Sequence, residues 1–472
     1  MSNSYQFLPF FFQHRNNGVL LTNDVGDYRY ISDRAFQNFI EHKLENTDDS
    51  FKDLYGLFAY YPHDLANIIN ILAARYRTKK EFLFNFTTLH MIVLTKKCNQ
   101  HCKYCHASSS QDGISMSIEV VEKCIDTILA MPSKQLKIEF QGGEPSLNIN
   151  VLKHAVNYTQ KNNNDKQISF VVCTNLLTLE DDTLNFYKQN NIQISTSLDG
   201  SMHLHDSNRI DQNASGTFDR VVENIDKVKT SLGKSNISAL MTVTKSNLNK
   251  LEEVVNEYIR LGFTSVFIRS LNPFGQACSN WKEIGYSTEN FLKAYKKILS
   301  FIIDINKSGR FFPEIFATIV LSRILTPFST GFVDLQSPAG IGIQGVIYDV
   351  NGDVLVSDEA RMYRNMTGDD YFKIGNVLNQ HWKDIFLSTK LKFLIANSVI
   401  ETLPMCETCV FQPYCGSDPV KNYALEKDVI GFKPFNDFCQ RQKFIFDLLF
   451  DYLINGSDSD RNVLFSWVIG KN

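Results

Sequence analysis

Leu94-Thr95-Lys96-Lys97-Cys98-Asn99-Gln100-His101-Cys102-Lys103-Tyr104-Cys105 decides how the rest of this chain is read. It follows a strand-like apolar run that begins at Leu89, and it spaces three cysteines as C-x3-C-x2-C. Four-cysteine loops fully ligate an iron–sulfur cluster, and a structural zinc site also needs four protein donors. Three thiolates without an adjacent fourth leave one coordination position free for an external ligand. His101 and His106 keep a zinc site in play, because imidazole is a good zinc ligand. Three reduced thiols in a turn are the other alternative.

The surrounding composition narrows the class. A chain of 472 residues exceeds the usual size of one core, so two or three domains are expected. Its net charge of −3, from 48 basic and 51 acidic residues, gives no electrostatic footprint for nucleic acid or an anionic membrane. The start, Met1 to Phe12, lacks a basic segment and a long apolar core, and no later stretch is uninterrupted enough to span a bilayer. A cytoplasmic location is the expectation. Ten cysteines without an export signal point to metal or catalysis rather than to disulfides. Cys98, Cys102 and Cys105 form one compact group and Cys406, Cys409, Cys415 and Cys439 a second, whereas Cys124, Cys173 and Cys278 read as scattered inert thiols.

Residues 1–85 read as a first unit: a hairpin of Gly18 to Thr22 and Tyr28 to Ile31, then helical patterns over Arg34 to Glu45 and His63 to Tyr76. From Leu89 onward strands and helices alternate. The strands are expected at 89–95, 136–141, 168–174, 193–199, 236–244 and 264–271, and the helices at 117–131, 149–162, 179–190, 217–232, 247–261 and 288–308. Six such repeats with β-branched strands imply a parallel sheet covered by helices. Residues 311–345 lack strong periodicity and read as a connector, after which 346–472 opens on a hairpin around Asn351-Gly352.

The cysteine loop, with Tyr104 before its last cysteine, resembles the C-x3-C-x-aromatic-C signature of the radical S-adenosylmethionine (SAM) enzymes. The strand ends extend the resemblance in order. Gln141-Gly142-Gly143-Glu144-Pro145 is similar to the family's Gly-Gly-Glu-Pro motif, Thr174-Asn175 and Ser195-Thr196-Ser197-Leu198-Asp199-Gly200 to its third and fourth strand ends, and His205-Asp206-Ser207-Asn208-Arg209 to the His-Asp-x-x-Arg stretch of its peptide-modifying subgroup. The resemblance implies a partial (β/α)6 barrel over residues 86–310, with active-site groups at the C-terminal ends of the strands. It implies a [4Fe–4S] cluster on Cys98, Cys102 and Cys105 whose open iron holds S-adenosylmethionine and passes it one electron, yielding a 5′-deoxyadenosyl radical. Gly142, Gly143, Glu144, Pro145, Asn175, Ser197, Arg209 and Ile268 are the implied cofactor contacts. Glu144 is expected to accept from the methionine ammonium, Arg209 to bind a carboxylate and Ile268 to form a wall for adenine.

Residues 1–85 resemble the small α+β, winged-helix-like domains that grip a leader peptide by strand addition, with a plain docking appendage as the alternative. Residues 346–472 resemble the SPASM extension, which typically carries seven cysteines and two auxiliary clusters. Three of its ligand positions are absent here: Ser357 and Pro419 stand where cysteines are expected, and no cysteine precedes Gly352 in the connector. Cys406, Cys409, Cys415 and Cys439 match the complete outer set, which implies one auxiliary [4Fe–4S] cluster; a four-cysteine zinc ribbon is the alternative. Finer stretches, Gln6 to Phe10, Leu20 to Asn23, Ser357 to Arg361 and Cys415 to Val420, resemble the maturases of the His-Xaa-Ser repeat peptide systems.

The implied activity is hydrogen abstraction from a ribosomally made precursor peptide and formation of a side-chain crosslink, with a flavodoxin or ferredoxin as electron donor. Asp358 and Glu359 are the candidate bases for the released proton. Two rivals stand beside it: an anaerobic sulfatase-type maturase that oxidises a Cys or Ser, and a non-catalytic zinc-binding interaction protein.

Overall fold

The computed structural model describes residues 5–470, so Met1 to Ser4 of the start read above lie outside the described residues. Its centre is a nine-stranded sheet. Six strands, Leu89–Thr95, Gln135–Gly142, Gln167–Cys173, Gln193–Ser197, Ile237–Thr242 and Phe267–Arg269, lie side by side in chain order and run parallel. The first is buried along nearly its whole length, as a strand packed on both faces must be. Helices Ile118–Ala130, Ile149–Asn162, Asp181–Gln189, Phe218–Leu232, Leu251–Arg260 and Thr288–Lys307 fill the crossovers. Ser117 and Ser287 cap the first and last by accepting from backbone N–H groups.

The stretch after residue 345 adds to the same sheet. Gly345–Tyr348 pairs in parallel with the first barrel strand, and Asp353–Leu355 and Lys373–Asn376 continue antiparallel beyond it. Helix Asp358–Thr367 lies between those last two strands, capped by Ser357, whose hydroxyl accepts from Ala360 N.

Within the stretch read as a connector, Ile315–Leu325 is helical. Phe316, Ala317, Val320, Leu321 and Ile324 are all buried, and a helix apolar nearly all round shows no amphipathic period. Glu314 caps it by accepting from Ala317 N at 2.6 Å, and also accepts from Tyr295 Oη at 2.6 Å and Ile268 N at 3.1 Å. This buried carboxylate fixes the helix against the sixth strand. Helices Asp437–Asn455 and Asp458–Ile469 complete the layer over it.

At the N-terminal end, Phe11–Arg15, Gly18–Thr22 and Tyr28–Ile31 form a three-stranded antiparallel sheet, one strand more than the expected hairpin. Helices Asp33–Ile40 and Leu65–Lys79 follow; the first stops short of the expected Glu45 because His42 takes φ of 55°. The middle strand uses both faces, as its two-residue period requires: Val19 and Leu21 enter a small core with Phe36, Phe39 and Phe58, while Leu20 enters the main core. Thr22 Oγ1 donates to Val410 O at 2.7 Å and Tyr414 Oη to Gly26 O at 3.0 Å, which ties this unit to the C-terminal cysteine segment. Among the described residues no helix is long and apolar enough to cross a membrane.

Candidate active site

The cysteine loop leaves the first strand at Thr95 and is anchored from three sides. Gln100–Cys102 pairs antiparallel with Arg209–Asp211. Gly143 N donates to Thr95 O and Glu144 N to Lys97 O, both at 2.8 Å. Gln276 N donates to Cys105 O at 2.9 Å. The glycine pair has a steric cause: a Cβ on Gly142 would stand 2.5 Å from Thr95 O, and one on Gly143 2.1 Å from Lys97 O. The close approach that requires glycine here is between two segments of this chain.

Nine of the residues singled out from sequence line one cavity of about 380 Å³: Cys98, Cys102, Cys105, Gly142, Gly143, Asn175, Ser197, Arg209 and Asp358. Ile268 and Glu359 line a second cavity, of about 400 Å³. Glu139, Gln141, Leu240, Arg269 and Asp358 are common to both linings, so the two are adjoining chambers at the strand ends. Both volumes fall in the range of small-molecule sites. Glu144 and Pro145 line neither chamber.

Glu144 is 1% exposed and fully engaged by the chain itself: its carboxylate accepts from Ser146 N at 3.0 Å, Thr174 Oγ1 at 2.7 Å and Asn175 N at 2.7 Å. Burial raises its pKa and these bonds oppose the rise. It ties the second strand end to the third and so holds Asn175, whose Nδ2 donates to Asn99 Oδ1 at 2.8 Å and points at Cys98 Sγ from 3.9 Å.

Arg209 is likewise committed inside the chain. Its Nε donates to Tyr104 Oη at 2.7 Å, its Nη1 faces Gln100 Oε1 at 3.4 Å and Cys102 Sγ at 3.8 Å, and it pairs with buried Asp199 at 3.3 Å. Tyr104 Oη donates to Asp199 at 2.6 Å. The motif's aromatic residue, the fourth strand end and Arg209 therefore form one buried network under the cysteine loop.

Burial pushes the Cys98 and Cys102 thiols up to about 12, with Arg209 opposing the rise at Cys102. Thiolates at these positions need a compensating positive charge, which a bound metal would provide. Gln100 Nε2, His106 Nε2 and Thr196 Oγ1 are buried without a protein partner, and all three residues line the cysteine chamber. Unpaired buried polar atoms are rare enough to mark a place where a bound group belongs. Among the described residues no three His, Cys, Asp or Glu side chains converge closely enough to share one ion.

Helix Asp358–Thr367 closes the chamber from the far side. Arg361, 2% exposed, holds Asp358 at 2.6 Å, and Glu359 faces Arg269 at 3.6 Å. Burial and then the neighbouring Asp358 raise the Glu359 pKa, with Arg269 opposing. Sequence reasoning passed over Gln100, Thr196 and Arg361 as lining groups and weighed His106 only as a zinc ligand. Their signal was adjacency: each sits beside or inside a quoted motif, but nothing in spacing says which way such a side chain turns.

The other four cysteines lie in the C-terminal part of the chain. Cys409 N donates to Cys406 O at 3.1 Å, and Cys439 N donates to Asn436 Oδ1 at 2.9 Å in the first turn of Asp437–Asn455. Burial pushes Cys415 up to about 12, and Lys433 opposes the burial-driven rise at Cys406, Cys415 and Cys439.

A partial barrel-like parallel sheet with a three-cysteine loop after its first strand is the radical SAM α/β fold, and residues 92–258 match the Radical SAM superfamily. The chain is 23% identical over 372 residues to the cysteine-type anaerobic sulfatase-maturating enzyme of Clostridium novyi, covering 75% of this chain and 92% of that protein. The solved structure of native anSMEcpe with bound AdoMet and Cp18Cys peptide superposes with a TM-score of 0.67 at 21% identity, over 80% of this chain and 99% of that one. Streptococcus suis SuiB bound to precursor peptide SuiA gives 0.55 at 12% identity, over 91% and 98%. Residues 92–258 of this chain are therefore similar to the Radical SAM superfamily within a fold of that type, and sulfatase-maturating enzymes are among the chain's relatives.

Proposed function

We propose that this chain modifies a ribosomally made precursor peptide by hydrogen abstraction and joins two of its side chains. The observation that carries the reading is the pair of adjoining chambers, one bounded by three thiols and the other by carboxylates, with Glu139, Gln141, Leu240, Arg269 and Asp358 common to both. A cluster held by Cys98, Cys102 and Cys105 with one iron open would supply the electron that cleaves S-adenosylmethionine to the hydrogen-abstracting 5′-deoxyadenosyl radical.

The chain's own residues do the rest. Arg209 places a cation 3.8 Å from Cys102 Sγ and favours its ionised form. Asn175 and Ser197 face the thiol chamber as short polar contacts for a cofactor, as do the unpartnered nitrogens of Gln100 and His106. Glu359, whose pKa burial raises, holds the proton released when a new bond forms, and Arg361 pairs with Asp358 beside it. Ile268 is 3% exposed and walls the second chamber. Cys406, Cys409, Cys415 and Cys439 would hold one auxiliary [4Fe–4S] cluster able to take up the second electron that leaves the peptide when the crosslink closes, and a flavodoxin or ferredoxin would deliver the electron that cleaves S-adenosylmethionine. His-Xaa-Ser repeats are the proposed feature of the peptide, on the strength of the stretches quoted above.

A sulfatase-type reaction is a second reading, favoured by the length over which the sulfatase-maturating relative aligns. Metal content separates the two: about eight irons per chain fits one auxiliary cluster and about twelve fits two, since each cubane holds four. The direct test incubates a candidate peptide anaerobically with cofactor and dithionite. A crosslinked product is lighter by two hydrogens and gives no hydrazide adduct, whereas sulfatase-type oxidation leaves an aldehyde that hydrazide captures.

A further inference from the structure

The second chamber has a chemical character of its own. Phe267, Phe291, Phe316 and Phe332 supply an apolar sheath, and Ile445 closes it from Asp437–Asn455. Set into this sheath are four carboxylates, Glu139, Asp334, Asp358 and Glu359, against two guanidinium groups, Arg269 and Arg441. Arg269 is taken by Glu359 at 3.6 Å, Asp358 is taken by Arg361 at 2.6 Å, and Arg441 Nη1 donates to Ser270 Oγ at 3.0 Å. Glu139 accepts from Gln141. Among the described residues Asp334 and Glu139 have no ion-pair partner.

An independent observation points the same way. Gln442 lines this chamber, is 2% exposed, and its Oε1 has no hydrogen-bond donor in the structure. A buried acceptor left unpaired costs about 1–3 kcal/mol. The chamber therefore sets Asp334, Glu139 and Gln442 Oε1 as acceptors inside an aromatic sheath, beside guanidinium groups held by Glu359 and Ser270.

We infer that this chamber is the subsite for a basic residue of the substrate peptide, a lysine or arginine whose stem lies among the phenylalanines and whose cation meets Asp334, Glu139 and Gln442. A donor-only head on an apolar stem is the anatomy of those side chains. An acidic residue would face four carboxylates, and an aliphatic one would leave Asp334 and Gln442 unpaired. Burial raises the Asp334 pKa, Asp418 and Glu359 raise it further, and Arg441 and Lys421 oppose the rise; an incoming cation adds to that opposition. The inference rests on the peptide-modifying reading and adds what the peptide must carry beside the reacting atoms.

The test uses the full chain, reconstituted anaerobically with iron and sulfide. Three fluorescein-labelled peptides, identical except for lysine, norleucine or glutamate at one position, are titrated by anisotropy. The lysine peptide should bind about tenfold tighter than the norleucine peptide, the size of one charge-assisted hydrogen bond, and the glutamate peptide weakest. Asp334→Asn and Gln442→Leu should each shrink the lysine preference to about twofold or less. Equal binding of the three peptides, a preference for glutamate or norleucine, or no binding of the lysine peptide overturns the inference, and none of these needs a protein variant to fold. Failure of the underlying enzyme reading shows separately, as absence of 5′-deoxyadenosine when the wild-type chain receives S-adenosylmethionine and dithionite.

Discussion

The two cysteine groups are built on opposite plans. Cys98, Cys102 and Cys105 line a chamber whose other walls hold unpartnered polar atoms, and the loop that carries them is braced from below by Arg209, Tyr104 and Asp199. Cys406, Cys409, Cys415 and Cys439 lie between the N-terminal hairpin, bound through Val410 and Tyr414, and the start of helix Asp437–Asn455. The first arrangement leaves room for a ligand; the second joins segments distant in sequence. Three ligands with a vacancy suit chemistry, and four without one suit structure or electron transfer.

Substitutions at the two groups should separate these roles. Cys102→Ala is expected to abolish 5′-deoxyadenosine release while circular dichroism keeps its native shape, because only the chamber is changed. Cys406→Ser is expected to remove about four irons and to lower the melting temperature, since the loss falls where two units meet. The same effect from both variants on both readouts would erase the distinction.

Smaller effects sharpen the picture of the loop. Arg209→Gln leaves Asp199 buried without its cation and should cost roughly 3–5 kcal/mol in denaturant unfolding, with weakened cluster incorporation alongside. Gly143→Ala drives a methyl into Lys97 O, 2.1 Å from the ideal Cβ position; overpacking of this kind costs about 1–3 kcal/mol and should shift the loop's cluster absorption as well.

A change of similar size, but one that depends on pH, lies outside both groups, in the hairpin that extends the barrel sheet. Burial raises the Asp353 pKa, but bonds from Lys373, Asn376, Asn351 and Arg364 outweigh it and bring the value to about 2 from 3.8. A depressed carboxylate stabilises the fold above its unfolded pKa and loses that contribution as pH falls through the folded value. Asp353→Asn should therefore cost about 2 kcal/mol at neutral pH, and the difference from wild type should vanish as pH drops from about 4 toward 2. An equal difference at both ends of that range would contradict the assignment.

What was legible in the sequence was what repeats. The six strands were readable because β-branched runs such as Leu89–Thr95 alternate with helices of clear period, and the strand-end motifs fell at their C-terminal ends in order. Helix Ile315–Leu325 was not readable, because burial on nearly every side removes the period that identifies a helix. The pairing of Gly345–Tyr348 with the first barrel strand joins residues far apart in sequence, and no local pattern encodes it. Motif residues were found but their partners were not. Glu144 faces Thr174 and Asn175, Arg209 faces Tyr104 and Asp199, and Asp358 faces Arg361. Orientation at a strand end depends on which neighbouring segment offers a donor, and that is a tertiary fact.

The central claim is that the trio of thiols beside the first strand holds a cluster with an open iron. The most direct measurement is 5′-deoxyadenosine release from anaerobically reconstituted protein given S-adenosylmethionine and dithionite, set against Cys102→Ala. The account predicts steady release by the wild-type chain and none by the variant. Zinc without iron in the wild-type protein, or full iron loading with no nucleoside released, would contradict it.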